Sequence, residues 1–177
     1  RALLTRLGLS FTTESPDLDE SPRVQESPEA MVGRLSEVKA ALIAARQPDA
    51  LVIGSDQAAT LDGRILGKPG GHAQAVTQLA GCSGREVTFY TGLCILKDAQ
   101  RYTHLDRTRV QFRELGNEEI ERYLRLEQPY QSAGSFKVEG LGISLFEAVH
   151  SEDPTALIGL PLIGLCRLLR QAGIAIP

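Results

Sequence analysis

The feature that most constrains this fold is an apolar run at residues 51–53 that passes through a small Gly-Ser step into Asp56 and Gln57. An apolar run of this length after a Pro-Asp turn predicts a buried strand. Open α/β sheets usually hold their ligands where strands end, so a carboxylate at the strand end is a functional candidate. Asp56 is therefore the first catalytic candidate, and the alternative is an aspartate that only starts a turn.

The size and charge of the chain limit the classes to which it can belong. Its 177 residues are enough for one domain with a sizeable core, or for two small lobes that share a cleft. A net charge of -3 and a pI near 5.7 provide no basic field of the kind that dominates nucleic-acid binding. We therefore expect no nucleic-acid partner.

The three cysteines are odd in number and widely separated, and they contain no C-x-x-C pair. This pattern predicts neither a disulfide framework nor a zinc site, and a reducing cytoplasm is the expected location. No apolar run approaches the roughly 18 residues of a membrane span, so no membrane partner is expected. The chain begins inside a helical pattern, residues 2–7, that has no cap, so we expect native residues upstream.

The first third predicts a short strand at 9–13, a loop at 14–22 and a helix from Ser27 to about residue 45. Within residues 17–20 this loop carries three carboxylates in four residues, those of Asp17, Asp19 and Glu20. Lys39 lies in the helix at the edge of its apolar stripe. Periodicity alone favours a surface lysine whose stem is buried and whose ammonium reaches solvent.

Lys68 stands in a Gly-Lys-Pro-Gly-Gly segment that superficially resembles a phosphate-binding loop. A P-loop needs four residues between its glycines and a Ser or Thr after the lysine. Here three residues separate Gly63 from Gly67, and Pro69 follows the lysine. We exclude a P-loop and keep Lys68 as a candidate phosphate contact.

The rest of the chain predicts a helix at 72–79 and a hairpin of strands at 86–96 and 101–112. It then predicts a helix at 117–127 capped by Asn117, a strand at 143–149 and a helix at 162–172. The apolar hairpin is a candidate homodimer interface, with burial in the core as the alternative. Between these elements, residues 132–143 place Lys137 and Glu139 among three glycines, a composition typical of backbone shaped around a ligand.

Chemistry-bearing residues thus collect in four segments: the acids of 17–20, Asp56 with Gln57, Lys68, and Lys137 with Glu139. Carboxylates can hold a divalent metal or activate water, and lysines can neutralise phosphates. Phosphoanhydride hydrolysis requires both functions. The alternative is ordinary surface charge, and for any single lysine it remains open.

At this point the sequence resembles the Maf family of nucleoside triphosphate pyrophosphatases. The Asp-Gln and Phe-Lys-x-Glu-Gly variants are similar to its 7-methyl-GTP branch. The resemblance spans residues 1 to about 173, with the motifs in the family's order. They are Gly54-Ser55-Asp56-Gln57, Gly67-Lys68-Pro69, Phe89-Tyr90-Thr91-Gly92, Ala133-Gly134-Ser135-Phe136-Lys137-Val138-Glu139-Gly140-Leu141-Gly142 and Gly159-Leu160-Pro161-Leu162.

The resemblance implies a single domain over residues 1–177, with an α/β fold related to inosine triphosphate pyrophosphatases. That fold has a mixed twisted sheet flanked by helices, with two lobes around a cleft. The implied reaction converts a nucleoside triphosphate to its monophosphate and pyrophosphate with a divalent metal, Mg²⁺ or Mn²⁺. The family's N-terminal Ser-x-Ser-Pro-x-Arg-Arg segment, which contacts phosphates, is absent except for its last arginine, matched by Arg1.

The resemblance also assigns roles residue by residue. Asp56 takes the family's proton-acceptor position, Glu20 its acidic loop position, and Lys39, Lys68 and Lys137 its recurring lysines. Glu20 and Asp56 would supply a sparse metal site. Asp17 and Asp19 are weaker candidates, for which loop solvation is the favoured role.

Base selection is predicted to rest on Glu139 and Gln57. A carboxylate can accept both adjacent N–H groups of the guanine pairing edge, and methylation at ring position 7 adds a positive charge. The dTTP- and UTP-preferring branch of the family carries glutamine at the position of Glu139 and threonine at that of Gln57. The competing function is a non-catalytic nucleotide-binding regulator of septum formation.

Overall fold

The computed structural model describes residues 2–177, and the candidate Arg1 lies outside them. Within that range the chain forms five α-helices and five β-strands. The helices are α1 (Ala2–Thr5), α2 (Pro28–Ala44), α3 (His72–Cys82), α4 (Asn117–Glu127) and α5 (Leu162–Gln171). The strands are β1 (Val52–Leu61), β2 (Arg64–Leu66), β3 (Glu86–Lys97), β4 (Gln100–Phe112) and β5 (Phe146–His150).

The strands form one sheet in the order β2-β1-β3-β4-β5. β1 and β2 pair antiparallel, with Ala59 opposite Leu66, and β4 and β5 pair antiparallel, with Val110 opposite Val149. The predicted α/β fold with a sheet flanked by helices is confirmed. None of the helices within residues 2–177 has the length and apolar character needed to cross a bilayer.

The chain divides into two compact units. The first comprises Arg1–Gln57, Tyr90–Asp106 and Asp153–Pro177, and the second comprises Ala58–Phe89 and Arg107–Glu152. The main core cluster of the first unit is aliphatic. In it the apolar stripe of α5 packs against β3. Its buried members are Leu3, Leu93, Ile95, Leu162, Leu165, Leu168, Leu169 and Ala172.

The core of the second unit contains a cluster of phenylalanine rings. Phe136 makes edge-to-face contacts with Phe89, Phe112 and Phe146, at centroid separations of 5.1 to 5.5 Å. This geometry places the positive edge of one ring against the negative face of the next. The predicted hairpin of β3 and β4 thus supplies residues to this core through Phe89 and Phe112, and a role in a homodimer stays a prediction.

Helix α2 starts as the sequence predicts and packs very closely on the sheet. The Ser27 hydroxyl accepts a hydrogen bond from the Ala30 N–H at 3.2 Å, and Pro28 opens the helix. A Cβ atom at Gly54 would overlap the Ser36 carbonyl oxygen, and one at Gly92 would overlap that of Val32. Glycine is therefore required at both strand positions for α2 to lie where it does.

Three local predictions are wrong. Residues 9–13 form no strand. Their side chains are mostly exposed, so the segment has no buried apolar face that would stabilise it in a sheet. The predicted strand at 143–149 begins only at Phe146, since Leu141–Leu145 form a 3₁₀ turn. The capping residue of α4 is Gly116 rather than Asn117, which is already helical.

Asp56 lies inside β1, so its predicted place at the strand end is also wrong. The strand continues because Ala58, Ala59 and Thr60 are buried, and Ala59 and Thr60 pair with β2. It ends instead at Asp62 and Gly63, whose φ values of 49° and 74° form a tight turn. The functional interest of Asp56 must therefore come from its contacts rather than from a strand terminus.

The close approach of α2 to β1 predicts opposite effects for two glycine substitutions. Gly54→Ala should lower the free energy of unfolding by about 1–3 kcal/mol, because the added methyl group meets helix backbone. Gly33→Ala, within α2 and facing open space, should raise it by roughly 0.5–1 kcal/mol. Urea denaturation measures both values, and equal effects of the two substitutions would contradict the packing.

Candidate functional site

The alternation of β1 decides which side chains face α2. Gly54 and Asp56 are two residues apart and share one face, because successive side chains of a strand point to opposite sides. Gly54 contacts Ser36 and Ala40 of α2. Asp56 consequently faces the same helix, within reach of Lys39.

Lys39 lies between two carboxylates. Its ammonium nitrogen is 2.6 Å from Oδ1 of Asp56 and 2.5 Å from Oε1 of Glu20. The side chains of Asp56 and Lys39 are 11% and 19% exposed, whereas that of Glu20 is 52% exposed. The structure thus brings together three of the predicted site residues, and Lys39 is not the surface lysine that periodicity favours.

The pKa values in this cluster reflect competition between burial and charge. Burial raises the pKa of Asp56, and the hydrogen bond and charge of Lys39 offset this only in part. Burial lowers the pKa of Lys39, but hydrogen bonds to Asp56 and Glu20 outweigh it and the net pKa is raised. The ion pairs outweigh burial for Lys39 because its ammonium has two anionic partners. Burial outweighs the ion pair for Asp56, which has one cationic contact and a nearby like charge.

Arg34, also on α2, joins the acidic loop to this cluster. Its guanidinium contacts both carboxylate oxygens of Glu26, at 2.6 and 2.7 Å, and donates to the Ser21 carbonyl at 3.2 Å. The guanidinium holds the pKa of Glu26 down to about 2, and its charge at longer range opposes part of the rise in the pKa of Asp56. No sequence pattern indicates this pair, since eight residues and a helix start separate its members.

The other face of β1 presents Ser55 and Gln57. The Ser55 hydroxyl donates to the carbonyls of Gly92 and Gly159, at 2.9 and 3.2 Å. The Gln57 amide nitrogen donates to Thr91 Oγ1 at 2.9 Å and to the Ala156 carbonyl at 2.8 Å. These bonds fix the backbone on either side of Asp56 and explain why the Thr-Gly and Gly-Leu-Pro motifs accompany it.

Lys68 belongs to the second unit and is exposed on an anchored loop. The Gln78 amide donates to the Gly67 carbonyl, and the Gly70 N–H donates to the Tyr130 carbonyl, each at 3.0 Å. The backbone on both sides of Lys68 is therefore held while its ammonium stays open to solvent. This arrangement suits a phosphate contact.

Lys137 and Glu139 also lie in the second unit, on a turn built around a backbone carbonyl. The N–H groups of Gly140 and Gly142 donate to the Lys137 carbonyl, at 3.3 and 3.0 Å. A Cβ atom at Gly142 would overlap that oxygen, so glycine is required there. The turn leaves Glu139 exposed and places the Lys137 ammonium 3.5 Å from Glu127.

The remaining loop acids have local contacts. Hydrogen bonds from the Ser21 hydroxyl and from the Ser21 N–H, the latter at 2.9 Å, lower the pKa of Asp19, and Asp17 is exposed. Within residues 2–177 no three His, Cys, Asp or Glu side chains converge as a metal site. The carboxylates of Glu20 and Asp56 nevertheless contact the same cationic atom, so one cation can reach both.

Comparisons with known proteins agree on one family. The sequence profile of Maf-like proteins matches residues 1–172. A protein of Xanthomonas axonopodis pv. citri named 7-methyl-GTP pyrophosphatase is 57% identical over 177 residues, which is 100% of this chain and 93% of its own length. Proteins with that name from Cupriavidus pinatubonensis and Nitrosococcus oceani are 54% and 53% identical, over 98% and 97% of this chain and 88% and 87% of their own lengths.

The ion pair predicts how the pKa of Asp56 responds to loss of the lysine. In Lys39→Met, burial acts without its main opposing contact, so the pKa of Asp56 should rise above its value in the parent. A carboxyl ¹³C NMR titration of the metal-free protein measures both values. Arg101→Met, which removes a surface ion pair with Glu37 of α2, is the control and should leave the titration unchanged. A pKa of Asp56 that falls in Lys39→Met would contradict this assignment.

Proposed function

Because the chain belongs to the Maf family, we propose that it is a nucleoside triphosphate pyrophosphatase that converts 7-methyl-GTP to 7-methyl-GMP and pyrophosphate. The observation that carries the proposal is the name shared by relatives 53–57% identical over nearly the whole chain. The cluster of Glu20, Lys39 and Asp56 supports it with groups suited to phosphoanhydride hydrolysis. Removal of modified nucleotides from the pool is the corresponding role.

Asp56 is proposed as the general base. Its carboxylate would accept a proton from water as the water oxygen attacks the α-phosphorus. The bond from that phosphorus to the bridging oxygen would break, and pyrophosphate would leave. Partial burial limits the number of waters around the carboxylate, and its contacts with Lys39 fix its orientation. General-base catalysis of this kind is worth about 10²–10⁴-fold in rate.

The residues present fit a divalent cation, Mg²⁺ or Mn²⁺, held by Glu20 and Asp56. Magnesium is usually held by one or two protein carboxylates together with substrate phosphates, so two acids are sufficient. When bound, such an ion neutralises charge on the phosphate oxygens. Lys39 already contacts both carboxylates and would balance part of their charge.

Lys39, Lys68, Lys137 and Arg1 are proposed as phosphate contacts. Lysine acts toward phosphate as a flexible point charge. Lys68 and Lys137 are exposed and stand on backbone that hydrogen bonds hold in place, so their Cα positions are fixed while their side chains can reach a phosphate, that of Lys137 from its contact with Glu127. Arg1 would add the guanidinium of the family's N-terminal motif.

Glu139 and Gln57 are proposed to select the base. The Glu139 carboxylate would accept the two N–H groups of the guanine pairing edge and would be attracted to the cationic 7-methyl ring. The Gln57 amide is oriented by Thr91 and Ala156, so it would present a fixed polar group to the substrate. Thymine, with one N–H between two carbonyls, would face the carboxylate unfavourably.

The proposed reaction predicts that Asp56→Asn lowers kcat by about 10²–10⁴-fold while nucleotide affinity changes little. The test measures pyrophosphate release from 7-methyl-GTP with Mg²⁺, alongside nucleotide binding by calorimetry. Asp98→Asn, at the exposed tip of the β3–β4 hairpin, is the matched control and should behave as the parent. Near-parental turnover in Asp56→Asn would rule out the base assignment.

The proposed base selection predicts that Glu139→Gln reduces the preference for 7-methyl-GTP over dTTP. The expected loss is roughly tenfold in the ratio of kcat/KM values, on the scale of one charge-assisted hydrogen bond of about 1.5–3 kcal/mol. Glu152→Gln, an exposed acid in the same unit, should leave the ratio unchanged. An unchanged ratio in Glu139→Gln would exclude this role.

A further inference from the structure

The acidic loop between α1 and α2 carries Glu20 without support from regular structure. Residues 9–27 form no helix or strand, and most of them are exposed. Glu20 itself is exposed, yet its carboxylate lies 2.5 Å from the Lys39 ammonium. Its position must therefore come from the few side chains that tie the loop to the rest of the first unit.

Arg34 ties this loop directly beside Glu20. The guanidinium forms a bidentate contact with Glu26, and the same Nη2 atom donates to the carbonyl of Ser21, the residue after Glu20. The side chains of Arg34 and Glu26 are only 16% and 10% exposed. A planar guanidinium held at two nitrogens has little rotational freedom, so it fixes the loop in orientation as well as in position.

Glu26 makes the loop end rigid. Its Oε2 atom accepts the Arg23 N–H at 2.9 Å, and its own N–H donates to the Arg23 carbonyl at 3.1 Å. The Ser21 N–H bonds to Asp19 on the other side. Residues 19–26 thus form a connected set of hydrogen bonds that Arg34 attaches to α2, separately from the contact of Glu20 itself with Lys39.

We propose that Arg34, held by Glu26, is a positioning residue for the pyrophosphatase reaction and that it places Glu20 against Lys39 and Asp56. This inference rests on the proposed function. Helix α2 carries both Arg34 and Lys39. Its close packing on Gly54 fixes the position of Asp56, two residues further along β1, relative to both side chains. One helix therefore aligns the base, its lysine and the loop acid.

The test is a double-mutant cycle on pyrophosphate release from 7-methyl-GTP. Arg34→Met should lower kcat roughly 10- to 100-fold, the usual cost of losing a residue that orients a ligand-bearing group. Glu20→Gln should lower it by a similar factor. Because both changes remove the same contribution, the Glu20 carboxylate held against Lys39, their effects should not multiply. The kcat of the double variant should be no more than about twofold below that of the poorer single variant.

Two further variants separate positioning from simple loss of stability. Arg34→Lys keeps the charge but cannot form the bidentate contact, so it should also lose at least about tenfold in kcat. Arg46→Met removes the contact to Glu14 at the opposite end of the same loop, 2.5 Å in the parent. This matched control should retain parental kcat. Thermal denaturation of each variant verifies folding.

A second readout needs neither metal nor nucleotide. The side-chain ammonium ¹⁵N–¹H NMR signal of Lys39, assigned by its loss in Lys39→Gln, reports the Glu20 contact. Arg34→Met and Glu20→Gln should shift this signal in the same way, and Arg46→Met should leave it in place. If the two kcat losses multiply in the double variant, or if the Lys39 signal in Arg34→Met is the same as in the parent, the positioning role is overturned. The proposed function would still stand in that case, provided that the parent protein releases pyrophosphate from 7-methyl-GTP. Absence of release from the parent would overturn both.

Discussion

The close contact between helix α2 and strand β1 at Gly54 is the constraint on which the first unit depends. No side chain larger than hydrogen fits between the strand and the Ser36 carbonyl, so the helix lies directly on the strand backbone. Since strand side chains alternate, the next residue on that face is Asp56, and it meets Lys39 one turn along the helix. A packing requirement at one glycine thus produces an ion pair two residues away.

The charges around Asp56 partly offset the desolvation of the buried carboxylate and of the lysine that pairs with it. Burial disfavours the Asp56 carboxylate, the Lys39 ammonium restores part of its stability, and Glu20 supplies the lysine with a second anion. Arg34 adds positive charge at longer range and orders the loop that carries Glu20. In its proposed role as general base, Asp56 combines a raised pKa with an orientation held by Lys39, and both favour proton transfer near neutral pH.

The sequence predicted the elements whose signals are local. Ser27 and Pro28 marked the start of α2, and helix α4 spans the predicted residues 117–127. The sequence-based predictions failed for segments whose secondary structure is determined by tertiary contacts. Residues 9–13 lack a partner strand, and the first three residues of the predicted strand at 143–149 belong to a 3₁₀ segment that follows the close contact of Gly142 with the Lys137 carbonyl.

For the candidate site, the motif order identified Asp56, Glu20 and Lys39, but periodicity placed the lysine at the surface and the strand end at Asp56. Both errors have the same cause: a polar residue inside a strand or helix looks exposed until its partner is known. Arg34 and Glu26 gave no signal at all, because an ion pair across a helix start has no fixed sequence spacing. Long-range pairing is the information that a single sequence lacks.

The most direct test of the central claim is hydrolysis of 7-methyl-GTP in ¹⁸O-labelled water, followed by mass spectrometry of the products. If water activated by Asp56 attacks the α-phosphorus, one ¹⁸O atom will appear in 7-methyl-GMP and none in pyrophosphate. Label in pyrophosphate, or release of inorganic phosphate in its place, would contradict the account.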